Sequence, residues 1–401
     1  MKLVAVLGGG PAGSMAAERL AGAGLNTVIL DEKLAWEKPC GGGITYRAYS
    51  RYRFLLDNAS PKKTVTETTM TEPRGGSVTM RLRHPMLVYS RLELNRMLLE
   101  RASAAGARIE KERVTGLDRH TSGWTVRTPR GTFEADFVVA ATGARNSLRN
   151  VGTEWSGDDT MRALGYWAPG ERDRADIHFL PGFHGYIWVF PRCGHLSVGI
   201  CGKGEPAARM RARLEKYMAE NGIALQGATF FGHTIPALER PAWARNRLSG
   251  EGWLAAGDAA GLVDPVTGEG LYYAMRSGDL AAQALLDQRV EPARKPAHYR
   301  ALLHGEFVED LALGAGVARR FFMEKFLYSS VPARMIELMR RSPRMMEIVD
   351  DLFAGKQGYL GLKRRLLDNL NGTLLEIFMG AMLGRRVIKE GGEGRKAAKE
   401  G

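Results

Sequence analysis

An acid held between glycines at the end of an apolar run is a costly use of backbone freedom. The stretch GWLAAGDAAGLVDPVTGEG, from Gly252 to Gly270, sets Asp258 after Gly257 and follows it with Pro265, Gly268 and Gly270. A surface turn does not need so much freedom, whereas a main chain that must come close to a flat ligand does. Asp258 offers an acceptor to a hydroxyl-bearing ligand; its plainer use is as a helix N-cap. A second such place opens the chain. Gly8-Gly9-Gly10-Pro11-Ala12-Gly13 fits G-x-G-x-x-G, and Asp31 stands 18 residues after Gly13. With a strand before it and a helix after it, this motif binds a dinucleotide: Gly8, Gly10, Pro11, Ala12 and Gly13 let the backbone reach a pyrophosphate at a helix N-terminus. Asp31 then accepts from the adenosine ribose 2′-hydroxyl, and Glu32 and Lys33 beside it are expected as cofactor contacts. Nicotinamide and flavin enzymes both begin in this way.

Two further stretches carry reactive or aromatic side chains in a pattern. KPCGGGITYRA, Lys38 to Ala48, puts Cys40 before Gly41, Gly42 and Gly43, a run that permits close contact with a ring edge. Cys40 is either a group facing a ligand or a buried inert thiol. PGFHGYIWVFP, Pro181 to Pro191, places Tyr186 and Trp188 on one face of an expected strand, as a pocket wall or as ordinary core. His84, His178, His184 and His195 have no metal-ligand spacing, so no metal is expected.

The elements that must position these residues follow from apolar periodicity. Residues 2–7 and 26–30 are expected as strands around a helix over 11–23, a βαβ opening. A helix is expected over 91–105, short strands near 108–113 and 124–128, and one buried strand in FEADFVVAATGA. Residues 160–203 alternate as β-structure, 205–221 as a helix, 253–256 as a buried strand and 271–286 as a helix. The remainder reads as amphipathic helices with breaks at Pro332, Pro343 and Gly355. The architecture expected is α/β. A Rossmann-like domain takes residues 1–64, 101–150 and 246–300, and a β-sheet substrate domain takes 65–100 and 151–245. A helical cap spans 301–386 and a flexible polar tail 387–401.

With 401 residues and 44% hydrophobic composition the chain can bury a substantial core. Three cysteines, Cys40, Cys193 and Cys201, are too few for a disulfide framework and point to a reducing compartment such as the cytoplasm. No apolar run is long enough to span a membrane. The net charge is +13, and beyond Ala315 seventeen Lys and Arg face ten Asp and Glu. No zinc-finger spacing or aromatic-interleaved basic stretch accompanies that charge, so nucleic acid is not the expected partner. The Met-rich segments FFMEKFLYSSVPARMIELMRRSPRMMEIVDDLF and LLEIFMGAMLGRRVIK read as a helical core or as an apolar lid at an anionic membrane surface.

The Gly252–Gly270 stretch resembles the second FAD fingerprint of p-hydroxybenzoate-hydroxylase-like flavoproteins. The resemblance implies that Asp258 bonds a ribityl hydroxyl. It also implies that the turn through Pro265, Gly268 and Gly270 brings backbone N–H groups to the flavin ring, with Glu269 and Leu271 among the FAD contacts. DFVVAATGARNSLR resembles that superfamily's third element, with Ala141-Thr142-Gly143 where Asp-Gly is usual. Ala141, Gly143, Val114 and Arg91 are the further FAD contacts implied. KPCGGG, Tyr-x-Trp-x-Phe-Pro and the Gly-Asp segment together resemble the geranylgeranyl reductase family, over residues 1 to about 290. That family reduces isolated C=C bonds in prenyl chains with FAD, so Cys40, Tyr186 and Trp188 are the implied catalytic-site residues. An isolated alkene has no carbonyl to polarise, so its site must be dry and walled by aromatic faces that tolerate positive charge. NAD(P)H and a ferredoxin-type protein both fit as electron donor. Two other readings share the sequence features. One is a flavin monooxygenase or halogenase, whose Trp-x-Trp-x-Ile-Pro segment Tyr186 to Pro191 partly echoes. The other is a prenyl-lipid carrier that holds FAD structurally.

Overall fold

Four-residue runs that are apolar throughout, such as VAVL and FVVA, cannot lie at a half-wetted sheet face and need cover on both sides. The computed structural model, which describes residues 3–368 except 149, 327, 363 and 367, gives them that cover. Val4–Leu7, Thr27–Leu30, Arg108–Glu110, Phe137–Ala140 and Trp253–Ala255 pair in parallel, in the spatial order Trp253–Ala255, Phe137–Ala140, Val4–Leu7, Thr27–Leu30, Arg108–Glu110. Ser249–Gly250 adds an antiparallel edge. Helices Pro11–Gly22, Arg91–Ala104 and Leu271–Leu286 bury their apolar faces in the core of this sheet. Helix Pro11–Gly22 and helix Leu271–Leu286 touch backbone to backbone: a Cβ at Gly278 would stand 2.1 Å from the Ala12 carbonyl oxygen.

FEADFVVAATGA does not form one strand. It divides at Asp136 into Gly131–Ala135, which belongs to a small antiparallel meander, and Phe137–Ala140, which belongs to the parallel sheet. The division has a local cause, because the Asp136 carboxylate accepts from the Leu3 N–H while the Asp136 N–H donates to the Leu3 carbonyl.

The second sheet has eight strands in the order Thr229–Pro236, Thr160–Ala168, His195–Lys203, His184–Arg192, Ala175–Phe179, Lys62–Glu72, Gly76–Tyr89, Gly43–Ile44. All neighbours are antiparallel except Ala175–Phe179 beside Lys62–Glu72. Strand alternation assigns its two faces. Ile187, Val189, Val198 and Ile200 pack under Met210, Leu214 and Met218 of helix Ala207–Glu220. Trp188, Cys201, Met161 and Phe231 face the other way, toward Phe322, Ile336, Met339 and Val349 of the C-terminal helices. Those helices are Glu309–Met323, Val331–Arg341 and Pro343–Phe353. Pro332 and Pro343 open the last two, where a missing N–H costs nothing. The segment 374–389 and the tail 387–401 lie outside the described residues. Among the described residues no helix is long and apolar enough to cross a membrane.

Candidate functional site

One cavity of about 980 Å³ runs between the two sheets and under the C-terminal helices. That lies at the upper end of ligand-pocket sizes. Its first wall is built at the ends of the parallel strands. Gly8, Gly10, Pro11 and Ala12 line it as the chain passes from strand Val4–Leu7 into helix Pro11–Gly22, and Glu32, Lys33, Val114, Ala141 and Gly143 stand beside them. Gly13 does not line the cavity. A Cβ there would stand 1.9 Å from the Gly8 carbonyl oxygen, so its role is the close fit of helix on strand. The Asp31 carboxylate accepts from the N–H groups of Gly9 at 2.7 Å, Lys33 at 2.7 Å and Leu34 at 2.8 Å. These bonds fix its side chain at the cavity rim.

Asp258 lies further in, at the end of strand Trp253–Ala255. Burial alone would raise its pKa, but the Lys38 ammonium at 3.2 Å and the nearby His233 ring bring it below the ordinary carboxylate value. Reciprocally, burial and then the Lys38 charge hold His233 well below the usual histidine range. His233 Nε2 is buried without a hydrogen-bond partner, and so is Nε of Arg91. Arg91 is 4% exposed, and its terminal nitrogen donates to Asn95 at 3.2 Å, so it is not a solvated helix-start arginine.

Gly268, Glu269, Gly270 and Leu271 line the cavity where helix Leu271–Leu286 begins. Asp264 shapes this turn: one of its carboxylate oxygens accepts from the N–H groups of Val266 and Thr267, each at 2.9 Å, and from the Tyr359 hydroxyl at 2.8 Å. Glu269 accepts from the Tyr272 N–H at 2.7 Å, and burial pushes its carboxyl up to about 7.

The opposite wall comes from the second sheet. Tyr186 and Trp188 both face the cavity from strand His184–Arg192. The Tyr186 hydroxyl donates to the Thr267 carbonyl, so the two walls touch there. Burial raises that hydroxyl's pKa far above the ordinary value, which keeps it protonated. The indole of Trp188 lies across Gly199 on the paired strand, where a Cβ would stand 2.2 Å from its ring. Cys40, Gly41 and Gly42 cross the floor between the walls. The Cys40 carbonyl accepts from Arg192 and from Ser197 Oγ, and the Cys40 thiol accepts from the Gly42 N–H at 3.3 Å. Arg192, 1% exposed, also pairs with Glu37. Burial alone would raise the Glu37 carboxyl, but the Arg192 charge brings it below 4.5.

Every site residue expected from the sequence except Gly13 therefore meets in one cavity. Sequence reasoning missed six contributors. Lys38 shows no role in its local sequence, because its partner Asp258 lies 220 residues away. His233 lines the cavity, whereas the His184 ring packs at a tilt against Phe322. Glu37 with Arg192, and Asp264 with Tyr359, were also unread; a buried Arg two residues after Phe190 was the one available clue.

The residues fit FAD. Two helix N-termini converge on the cavity, as an anionic pyrophosphate and a flavin ring require. A Cβ added to Gly10 would meet nothing within 4 Å, so a cradle stands open there. The unpaired Nε of Arg91 supplies a buried donor beside the acid end. These features define an FAD-binding flavoprotein, and residues 2–168 match the family model described as FAD binding domain. The chloroplastic geranylgeranyl diphosphate reductase of Oryza sativa subsp. japonica is 32% identical over 324 residues, which cover 71% of this chain and 66% of the plant protein. This chain thus spans just under two thirds of that relative's length. Geranylgeranyl diphosphate reductase of Rhodobacter capsulatus is 31% identical over 309 residues, 70% of this chain and 74% of the bacterial protein. A geranylgeranyl bacteriochlorophyll reductase-like structure from Thermoplasma acidophilum shares the fold, with a TM-score of 0.74 at 21% identity over 92% of this chain and 99% of that one. The chain belongs to the geranylgeranyl diphosphate reductase family.

Proposed function

We propose that this protein reduces isolated C=C bonds in a prenyl chain of the geranylgeranyl type, carried on a diphosphate, lipid or quinone. The observation that carries the reading is the pairing of walls: a charge-bearing cofactor wall and an aromatic wall face each other across one cavity. Bound and reduced FAD supplies the hydride. The chain's own residues supply the rest. Trp188 and Tyr186 present ring faces that stabilise cationic character at a tertiary carbon. The apolar packing behind them, from Phe322, Ile336 and Met339, excludes water that would otherwise quench it. Tyr186 holds its hydroxyl proton at the meeting point of the walls, and Cys40, fixed through its carbonyl by Arg192, lines the floor. Asp31 and Asp258 accept from the ribose and ribityl hydroxyls, while Arg91 and the helix N-termini hold the pyrophosphate. Phe326 at 53% and Tyr328 at 99% exposure, beside Lys325, form an amphipathic tip for docking at an anionic membrane surface, where such substrates reside. The electron donor is a nicotinamide or a ferredoxin-type protein.

The test is anaerobic. The FAD-loaded protein is reduced with dithionite and given geranylgeranyl diphosphate or a prenyl quinone. The expected result is a mass gain of two hydrogens per bond with return of the oxidised flavin spectrum. Flavin that stays reduced until air enters, with no mass gain, overturns the reading and favours oxygen-dependent chemistry.

A further inference from the structure

Saturating an alkene consumes a proton as well as a hydride, and Glu269 is a cavity acid whose surroundings suit it to that task. Glu269 sits between Gly268 and Gly270, on the cavity wall where helix Leu271–Leu286 starts. One of its carboxylate oxygens caps the Tyr272 N–H. No described residue forms an ion pair with it. The cation that faces it is Arg47, whose guanidinium instead lies over the rings of Tyr272, at 4.3 Å, and Tyr273, at 5.6 Å. The acids around it are Asp264, bonded to Tyr359, and Asp310, which also lines the cavity; Asp258 reaches to within 3.5 Å of a Cβ on Gly270.

We propose that Glu269 takes up a proton when the bound flavin is reduced and gives it to the alkene carbon that does not receive the hydride. The inference rests on the reductase reading for its second half only. The balance is complete. The hydride carries two electrons and forms one C–H bond. The π pair of the alkene forms the other with the Glu269 proton, which leaves a carboxylate facing Arg47. The next reduction of the flavin, by a nicotinamide or ferredoxin-type donor, draws a proton from solvent back onto Glu269. Burial and then the Asp264 charge raise this carboxyl to about 7, so both protonation states are accessible near neutral pH. A general acid with a pKa near the working pH is the effective kind, worth about 10²-fold or more in rate.

The proton count can be read on the holoenzyme without any prenyl substrate. The midpoint potential of the bound flavin is measured against pH for the wild type, Glu269→Gln and Arg47→Met. Above about pH 7 the FAD-loaded wild type is expected to take up one more proton per two electrons than FAD-loaded Glu269→Gln. Glutamine keeps the helix cap, so a merely capping role leaves the proton count unchanged. Equal proton uptake in the two proteins overturns the proposal. If Glu269→Gln does not fold, Arg47→Met carries the test: removing the cation moves the uptake window to higher pH, and an unmoved window overturns the proposal. With a prenyl substrate, Glu269→Gln is expected to be about 10²-fold slower and to lose the wild-type decline in rate at the alkaline end of the uptake window, where Glu269 of the reduced enzyme gives up its proton. Proton uptake without any prenyl reduction sinks the reductase reading and leaves the uptake standing.

Discussion

The two walls of the cavity are made by different means. The cofactor wall is backbone: glycines at strand ends, two helix N-termini, and acids a few bonds from the main chain. The aromatic wall is side chain: Tyr186 and Trp188 project from a strand whose place depends on seven others. A backbone wall tolerates no added atom at its tightest points but is indifferent to most neighbours. A side-chain wall tolerates small changes in shape, yet it exists only if distant segments pair in register. The proposed function needs both, since a dinucleotide is held by donors and charge whereas a prenyl chain offers neither.

Four substitutions sharpen this contrast. Gly13→Ala puts a Cβ against the Gly8 carbonyl and strikes the backbone wall directly. The expected outcome is a protein that retains no FAD on purification, judged by the flavin absorbance band. Arg192→Met strikes the seam. It leaves Glu37 without its cation and removes one of the two donors to the Cys40 carbonyl, at a cost of about 3–5 kcal/mol in urea unfolding. It also changes the acid limb. Glu37 has a lowered folded pKa, so its contribution is full above the ordinary 4.5 and is lost as pH falls through the lower folded value. The mutant should lose that part of the dependence in a series of melting temperatures against pH. Trp188→Leu removes a cation-tolerant face from the aromatic wall alone. Prenyl reduction should slow by about 2 kcal/mol, roughly 30-fold, with FAD affinity unchanged by fluorescence titration. A large loss of FAD in that variant would show the walls to be less separate than they look. Tyr359→Phe removes one of the three donors to a single Asp264 oxygen and should cost only about 1 kcal/mol in the same unfolding experiment.

Legibility in the sequence divides along the same line. Gly8 to Gly13, Asp31 and the Gly252–Gly270 stretch are readable because backbone geometry is written in consecutive residues. Tyr186 and Trp188 are readable because strand alternation is local. Lys38, His233 and Arg192 were not, because their meaning is a partner far along the chain: Arg192 and Glu37 are separated by 155 positions. The division of FEADFVVAATGA at Asp136 was equally hidden, since it depends on a pair of bonds to Leu3. Glu269 shows the limit most clearly. Its place in a glycine-rich turn suggested contact with a cofactor, but its proton affinity is set first by burial in the cavity, then by the Asp264 charge within the same turn and by Arg47 from another part of the fold.

The anchoring of the Cys40 carbonyl by Arg192 and Ser197 also has a consequence for the order of events on the ribosome. The floor of the cofactor pocket is specified early in translation but is finished late. Until the hairpin of His184–Arg192 and His195–Lys203 has emerged and paired, the Cys40 carbonyl lacks both of its donors, although Glu37 and Gly42 can already bond to the Tyr89–Leu92 segment. A growing chain that already carries its dinucleotide motif therefore has only half of a berth, and the cofactor can be seated only when most of the polypeptide is outside the exit tunnel.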